Sequence, residues 1–358
     1  MRLIRKNIDT LKGILEKNKR LARLKPLLSA VDEFYFGTDK VTTLPHIVDH
    51  MDIKRYMTFV IVGLLPATIA SVYFWGLRVL AVIAVSYIFG GLVEAAFAIV
   101  RKKEIHEGFL VTGLLFPLTL PPSIPLWVVA VGVMFGTLFG KEAFGGTGRN
   151  IFNPAIVGRI FLTIAFPTIM TIVWNEPFHS GLGGFQRYFA DALTQATPLA
   201  LFKAEKVITH YGDLLLGNSM GCIGETFRLG IILGGIFLIL AKISNWRLPL
   251  SCIVSVIVFA SIGNYFAPDK FAPALFQILS GGFLLGAFFM VTDPVTAPFT
   301  KAGKWIGGVI FGFLVVLIRG LSGYVEAVMF SILLLNVFAP LIDHLVLDVK
   351  YQKNKGIK

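Results

Sequence analysis

Charge is what this chain has least of for its length. Of 358 residues only 15% are Asp, Glu, Lys or Arg, whereas 55% are hydrophobic; a soluble domain carries roughly a quarter charged residues. The apolar residues run in blocks of about 18 to 25 between short polar joints, a length that crosses a hydrocarbon core of about 30 Å at 1.5 Å per residue. That distribution excludes an ordinary soluble fold. Cysteine is almost absent too. Cys222 and Cys252 are the only two. They cannot supply the four thiolates of an iron–sulfur cluster from this chain, and the topology read below puts a helix between them, so no disulfide is expected. No cleavable leader is visible ahead of the first apolar block, which begins near Tyr56.

Acidic residues are fewer than basic ones, 21 against 33, for a net charge of +12. Such an excess can signal nucleic acid, but its placement argues for topology instead. Twelve of the 33 basic residues precede the first apolar block. Others gather at Arg101 to Lys103, at Lys141, Arg149 and Arg159, at Lys242 and Arg247, at Lys301 and Lys304, and from Lys350 onward. With a cytoplasmic N-terminus, 26 of the 33 would face the cytoplasm, as positive-inside loops require. No nucleic-acid partner is expected. The tail RKNIDTLKGILEKNKRLARLKPLL reads as a basic amphipathic helix for a surface or a partner.

The hydrophobic blocks predict an all-α polytopic membrane protein of about ten transmembrane helices, at 57–75, 78–99, 108–121, 124–141, 154–174, 227–245, 248–266, 271–292, 304–319 and 326–345. Both termini would then be cytoplasmic. Five regions follow: a basic tail 1–56, a first helical unit 57–174, an outer-side segment 175–225, a second unit 226–345 and a basic tail 346–358. The two units resemble each other. FLVTGLLFPLTLPPSIP from Phe109 parallels FLLGAFFMVTDPVTAPF from Phe283, and the joints GGTGRN and GLSGY follow at the same offset of about 174 residues. An odd number of helices per unit forces the copies into opposite orientations, so the expectation is two inverted five-helix repeats. In such folds the sites lie near the midplane, where helices are broken. Pro117, Pro121, Pro122 and Pro125 in one copy, and Pro294 and Pro298 in the other, interrupt the third helix of each unit.

The outer segment holds Asp191-Ala192-Leu193-Thr194-Gln195-Ala196-Thr197-Pro198-Leu199. A threonine before proline is usually a helix cap. Here the pattern resembles the flavinylation motif D-x-x-[ST]-x-A-T, whose last threonine takes FMN through a phosphoester made by a dedicated transferase. Thr197 would be the attachment point, with Asp191 and Thr194 completing the motif. Longer stretches carry a wider resemblance: Asp52-Ile53-Lys54-Arg55, RKKEIHEGF at 101–109, KEAFGGTGRNIFNPAIVGR at 141–159, GNSMGCIGE at 217–225, TDPVTAPFTKAGKW at 292–305 and NVFAPLIDH at 336–344. With these the chain resembles, over nearly its whole length, the family of NqrB, the B subunit of the Na+-translocating NADH:quinone oxidoreductase, and of its paralogue RnfD, the D subunit of the Rnf ferredoxin complex. The long basic tail, RKKEIHEGF and GGTGRN look like NqrB; TQATPL and the short join between the first two helices look more like RnfD. NqrB is favoured.

The resemblance implies a membrane subunit in the bacterial inner membrane, active with other subunits. It would relay electrons from a partner's flavin through covalent FMN and a noncovalent riboflavin to quinone, coupled to Na+ transport. It also implies riboflavin near Asn150 and Asn153, otherwise read as turn and helix-start amides before Pro154, and a quinone surface at Gly90, Gly91 and Glu94. The plain alternative for those three is a close helix contact with Glu94 reaching the interface, since a carboxylate at membrane depth is costly. Asp343 is a candidate Na+ contact and Asp293 a similar one, both also readable as local caps. His46 and His50 lack a third ligand and read as interfacial residues. Two other readings stay open: an Rnf subunit exchanging electrons between ferredoxin and NAD, and a channel or transporter with inverted repeats and no redox role.

Overall fold

The computed structural model describes residue 10 and residues 53–102, 108–171, 174–178, 181–189 and 196–355. Regular structure among these residues is helical. In chain order the helices are α1 Ile53–Trp75, α2 Arg78–Arg101, α3 Gly108–Leu118, α4 Leu126–Gly140, α5 Pro154–Ala165, α6 Pro167–Thr171, α7 Pro198–Glu205 and α8 Tyr211–Leu216. They continue with α9 Arg228–Leu240, α10 Arg247–Phe266, α11 Ala274–Leu279, α12 Phe283–Leu285, α13 Lys301–Leu321 and α14 Val328–Lys355. The protein is a multi-pass membrane protein: six helices, α1, α2, α4, α10, α13 and α14, lie in stretches long and apolar enough to span. The amphipathic tail, His46 and His50 lie outside the described residues.

The other predicted segments are shorter than expected, for visible reasons. α5 runs twelve residues from the Asn153 cap and stops at Phe166, because Pro167 bars the helical conformation there. Twelve residues rise only about 18 Å. α3 ends at Leu118, just before Pro121 and Pro122. Segment 271–292 is three pieces: α11, α12 and a π-helical turn at Gly286–Met290, ending at Asp293-Pro294.

Where a helix breaks inside a membrane protein, the freed backbone groups need partners from protein or a cavity. After α3, the Leu118 and Leu120 carbonyls accept from the Gly224 and Ile223 amides at 2.7 and 2.9 Å. The loop 222–226 thus plugs the break. At the second break, Asp293 substitutes for the lost ladder: Oδ1 accepts from the Val295 amide at 3.1 Å, and Oδ2 from the Thr296 hydroxyl at 3.2 Å. Asn336 of α14 donates to the Thr296 carbonyl at 3.2 Å, and its Oδ1 accepts from the Asn153 amide at 3.2 Å. One side chain thereby ties the second break to the start of α5.

Small residues set the helix contacts, as expected where lipid offers no hydrophobic drive between helices. α1 crosses α9 at Gly63 and Gly234, so closely that a Cβ on Gly234 would overlap the Gly63 carbonyl. α4 meets α5 through Gly136 and Gly158. α10 meets α13 where Ser255 donates to the Gly308 carbonyl at 3.1 Å. Outward faces are apolar, with Leu92, Ile262 and Phe266 exposed. Cys222 and Cys252 are both buried free thiols.

Candidate functional site: two cavities flanked by buried charge

The first cavity, about 70 Å³, is lined by residues from both halves of the chain, including Tyr56, Lys141, Thr147, Asn150, Asn153, Ser244 and Asp293. Its amides come from the joint between α4 and α5. Asn150 folds back on its own turn: Oδ1 accepts from the Gly148 amide at 3.3 Å, and Nδ2 donates to the Phe152 carbonyl at 3.0 Å. Asn153 caps α5, accepting from the Ala155 amide at 3.1 Å. The Ser244 hydroxyl is buried with no hydrogen-bond partner among the described residues.

Lys141 joins this cavity to Glu94. Its ammonium lies 2.5 Å from Glu94 Oε1, and the two side chains are 3% and 6% exposed. Gly90, one turn before Glu94, packs under Val133 of α4, whereas a Cβ on Gly91 would meet only the Phe109 ring, at 3.8 Å. The Gly90–Glu94 stripe therefore faces α4, and Glu94 turns inward rather than to the membrane interface. Next door, Arg101 pairs with Glu142 at 2.9 Å. The charge pattern places Lys141 in a cytoplasmic basic cluster; the structure adds that its ammonium is the buried counter-ion of Glu94.

The second cavity is larger, about 310 Å³, and Thr197 stands in its wall. Thr197 is the N-cap of α7: its hydroxyl oxygen accepts from the Ala200 amide at 3.4 Å, and Pro198 takes the first helical position. Lys203, one turn along α7, donates to the Ser322 and Tyr324 carbonyls at 2.5 and 2.9 Å. That pins α7 to the turn that closes the cavity. Burial, then the neighbouring Lys206 charge, hold the Lys203 ammonium below its ordinary pKa. Asp191 and Thr194 lie outside the described residues.

The cavity wall also holds charges to which the sequence reading gave no role in a site: Arg159 from α5, Glu225 from the plug loop and Glu326 ahead of α14. Arg159 Nη2 lies 3.6 Å from Glu326 Oε2 and 3.4 Å from Cys222 Sγ. Arg319 lies 4.0 Å from Glu326 Oε1 and donates to the Gln277 and Ser280 carbonyls at 2.6 and 2.9 Å. The charge pattern groups Arg159 with Lys141 and Arg149 in a cytoplasmic cluster. The structure places Arg159 well inside α5 with its side chain buried, on a cavity that neither Lys141 nor Arg149 lines. The available signal was a lone arginine inside an apolar block, which at membrane depth marks a site by default.

Asp343 belongs to neither cavity. Its carboxylate accepts from the Phe299 and Thr300 amides at 2.5 and 2.9 Å and from the Thr300 hydroxyl, anchoring the start of α13. Among the described residues no group of three or more His, Cys, Asp or Glu side chains is arranged to hold a metal.

Six helices long and apolar enough to span a membrane, packed with shorter apolar segments and enclosing two cavities, define a multi-pass membrane protein. The sequence matches the model of the NQR2, RnfD, RnfE family over residues 40–352, and the chain belongs to that family. It is 37% identical to the B subunit of the Na(+)-translocating NADH-quinone reductase of Azotobacter vinelandii, and 35% identical to the same-named protein of Pseudomonas paraeruginosa, each over 98% of both chains. Against the same-named protein of Pseudoalteromonas atlantica, identity is 41% over 75% of this chain and 66% of the relative.

Proposed function

We propose that this chain is the B subunit of a Na+-translocating NADH:quinone reductase, relaying electrons from a partner subunit's flavin through FMN on Thr197 and a riboflavin to quinone, with Na+ transport coupled to that flow. The name shared by relatives matching almost the whole chain supports this reading over the Rnf one. The observation that carries the flavin assignment is Thr197 itself: a capping threonine at a helix N-terminus, in the wall of a cavity of about 310 Å³.

The local physics suits a phosphoester there. The first amides of α7 point past the cap, and the helix dipole favours negative charge at that end. The cap bond from Ala200 is long at 3.4 Å, so little is lost when the hydroxyl is esterified. Lys203 keeps the helix seated. FMN and riboflavin would supply the redox chemistry; the chain fixes their spacing and keeps water out. In the narrower cavity Asn150, Asn153 and the orphaned Ser244 hydroxyl fit the donor and acceptor edge of riboflavin. Gly90, Gly91 and Glu94 stand as the quinone surface, with Lys141 linking Glu94 to that cavity. Asp343 stands as a Na+ contact at the inner end, its remaining lone pairs free of the α13 anchor.

The helix packing supports two inverted five-helix repeats. α2 packs on α4 and α4 on α5, as α10 packs on α13 and α13 on α14. α1 meets its counterpart α9, and α5 its counterpart α14. The partners would be the other subunits and a flavin transferase, in a bacterial inner membrane with both termini cytoplasmic. Denaturing electrophoresis under ultraviolet light tests the core of this: the chain from transferase-positive cells should fluoresce, and Thr197→Ala should be dark. A dark wild-type band would favour the non-redox transporter.

A further inference from the structure

We infer that a basic pocket at the joined C-terminal ends of α10 and α13 holds the phosphate of an anionic phospholipid. The pocket has a volume of about 130 Å³. Gly263 near the end of α10 and Gly320 near the end of α13 meet there under one ring, since a Cβ on either would strike Phe271. α7 closes the remaining side with Lys203 and Lys206. Gln277 and Arg319 are buried at the floor, whereas Lys206, Asp269 and Lys270 are exposed at the mouth.

The lining carries four cations against one carboxylate. Arg319 is already answered, by the Gln277 and Ser280 carbonyls and by Glu326. The three lysines have no carboxylate within 4.0 Å among the described residues. An ammonium has three donors. Lys203 gives two to the carbonyls that follow α13, the ordinary task of a cation at a helix C-terminus. Lys206 gives one, to the Lys203 carbonyl at 3.2 Å, and Lys270 gives none among the described residues. Helix capping therefore accounts for Lys203 and leaves donors of the other two facing an open mouth. The surroundings say which anion fits. Tyr265 and Phe266 end the spanning helix α10 with 82% and 79% of their surface exposed, and aromatic side chains mark the boundary between hydrocarbon and headgroups. Val258, Ile262 and Phe266 recur every four residues as one exposed apolar row down α10. A phospholipid puts its phosphate at that boundary and an acyl chain along that row; free phosphate or an acidic protein segment leaves the row unused. Bridging Lys206 to Lys270, the lipid seats α7, the helix that begins directly after Thr197.

The test uses the assembled complex with the full chain in detergent and a phosphatidylglycerol carrying a photoreactive group on its headgroup. Irradiation should attach the probe to the peptides spanning 199–206 and 267–272. Unlabelled phosphatidylglycerol should compete it away, and inorganic phosphate should not. Lys206→Gln and Lys270→Gln should each weaken binding about fivefold, and the double variant about 25-fold. Labelling that misses both peptides overturns the inference, because a partner subunit then covers the pocket. Equal labelling by a phosphatidylcholine analogue overturns it in favour of ordinary boundary lipid, and competition by inorganic phosphate in favour of a free-anion site. Should a variant fail to assemble, the wild-type complex decides: labelling that falls as salt rises supports the lysines, and labelling indifferent to salt overturns them.

Discussion

Replacing Lys141 with methionine removes a cation whose partner, Glu94, is buried 2.5 Å away, with both side chains nearly inaccessible. Taking one member from such a pair leaves an uncompensated charge in a low-dielectric site, at a cost of about 3–5 kcal/mol. Replacing both members by apolar residues of similar size is close to neutral, because the desolvation of two ions disappears together with their attraction. The structure therefore predicts a strongly non-additive cycle: Lys141→Met and Glu94→Leu each destabilise by about 3–5 kcal/mol, and the double variant by about 1 kcal/mol or less. Cys222 and Cys252 supply the assay, since both are buried thiols and a thiol-reactive dye reports their exposure as the protein opens on heating. Two single variants that each cost under about 1 kcal/mol would mean that this pair is hydrated or unformed, as for exposed pairs. That would break the link drawn between Glu94 and the smaller cavity.

Gly234→Ala should destabilise by about 1–3 kcal/mol by forcing α1 from α9, read as a lower dye-reaction temperature, because the new methyl group overlaps the Gly63 carbonyl. Asp343→Ala should cost about 1–2 kcal/mol through the lost anchor of α13; a Na+ role would appear separately, as a raised Na+ requirement of quinone reduction that Asp343→Asn reproduces. If Thr197 carries FMN as proposed, Lys203→Ala should free α7 from the 322–324 turn and lower that flavin's fluorescence anisotropy, while the fluorescent band stays as intense.

Helix positions were legible because each hydrophobic block is itself the signal, and prolines 121, 122 and 294 marked the breaks. Lengths were less legible. The stop at Phe166 needs the Phe166-Pro167 step to outweigh a run of apolar residues that would otherwise continue, and hydropathy does not weigh that. The Thr197 motif stands out in the sequence because its residues are contiguous. The cavity around it does not, since Arg159, Glu225 and Glu326 are far apart in sequence and come together only in the fold. The positive-inside count treats every basic residue near a helix end as a loop charge, so it could not show that Lys141 and Arg159 are buried.

The distribution of buried charge says which demands the fold obeys. Lys141 and Glu94 sit beside one cavity; Arg159, Glu225, Glu326 and Arg319 sit in or beside the other. Apolar packing alone would be at least as stable at these positions, since a buried ion pair rarely outperforms well-packed hydrophobic residues. The long apolar helices elsewhere show that this chain packs without charges where it can. Buried charge away from the cavities, at Arg228, closes on the Leu214 and Thr226 carbonyls and the Ser219 hydroxyl, whereas Lys141 and Arg159 meet carboxylates beside or within a cavity; a polar ligand in either cavity would meet charge that packing alone does not call for.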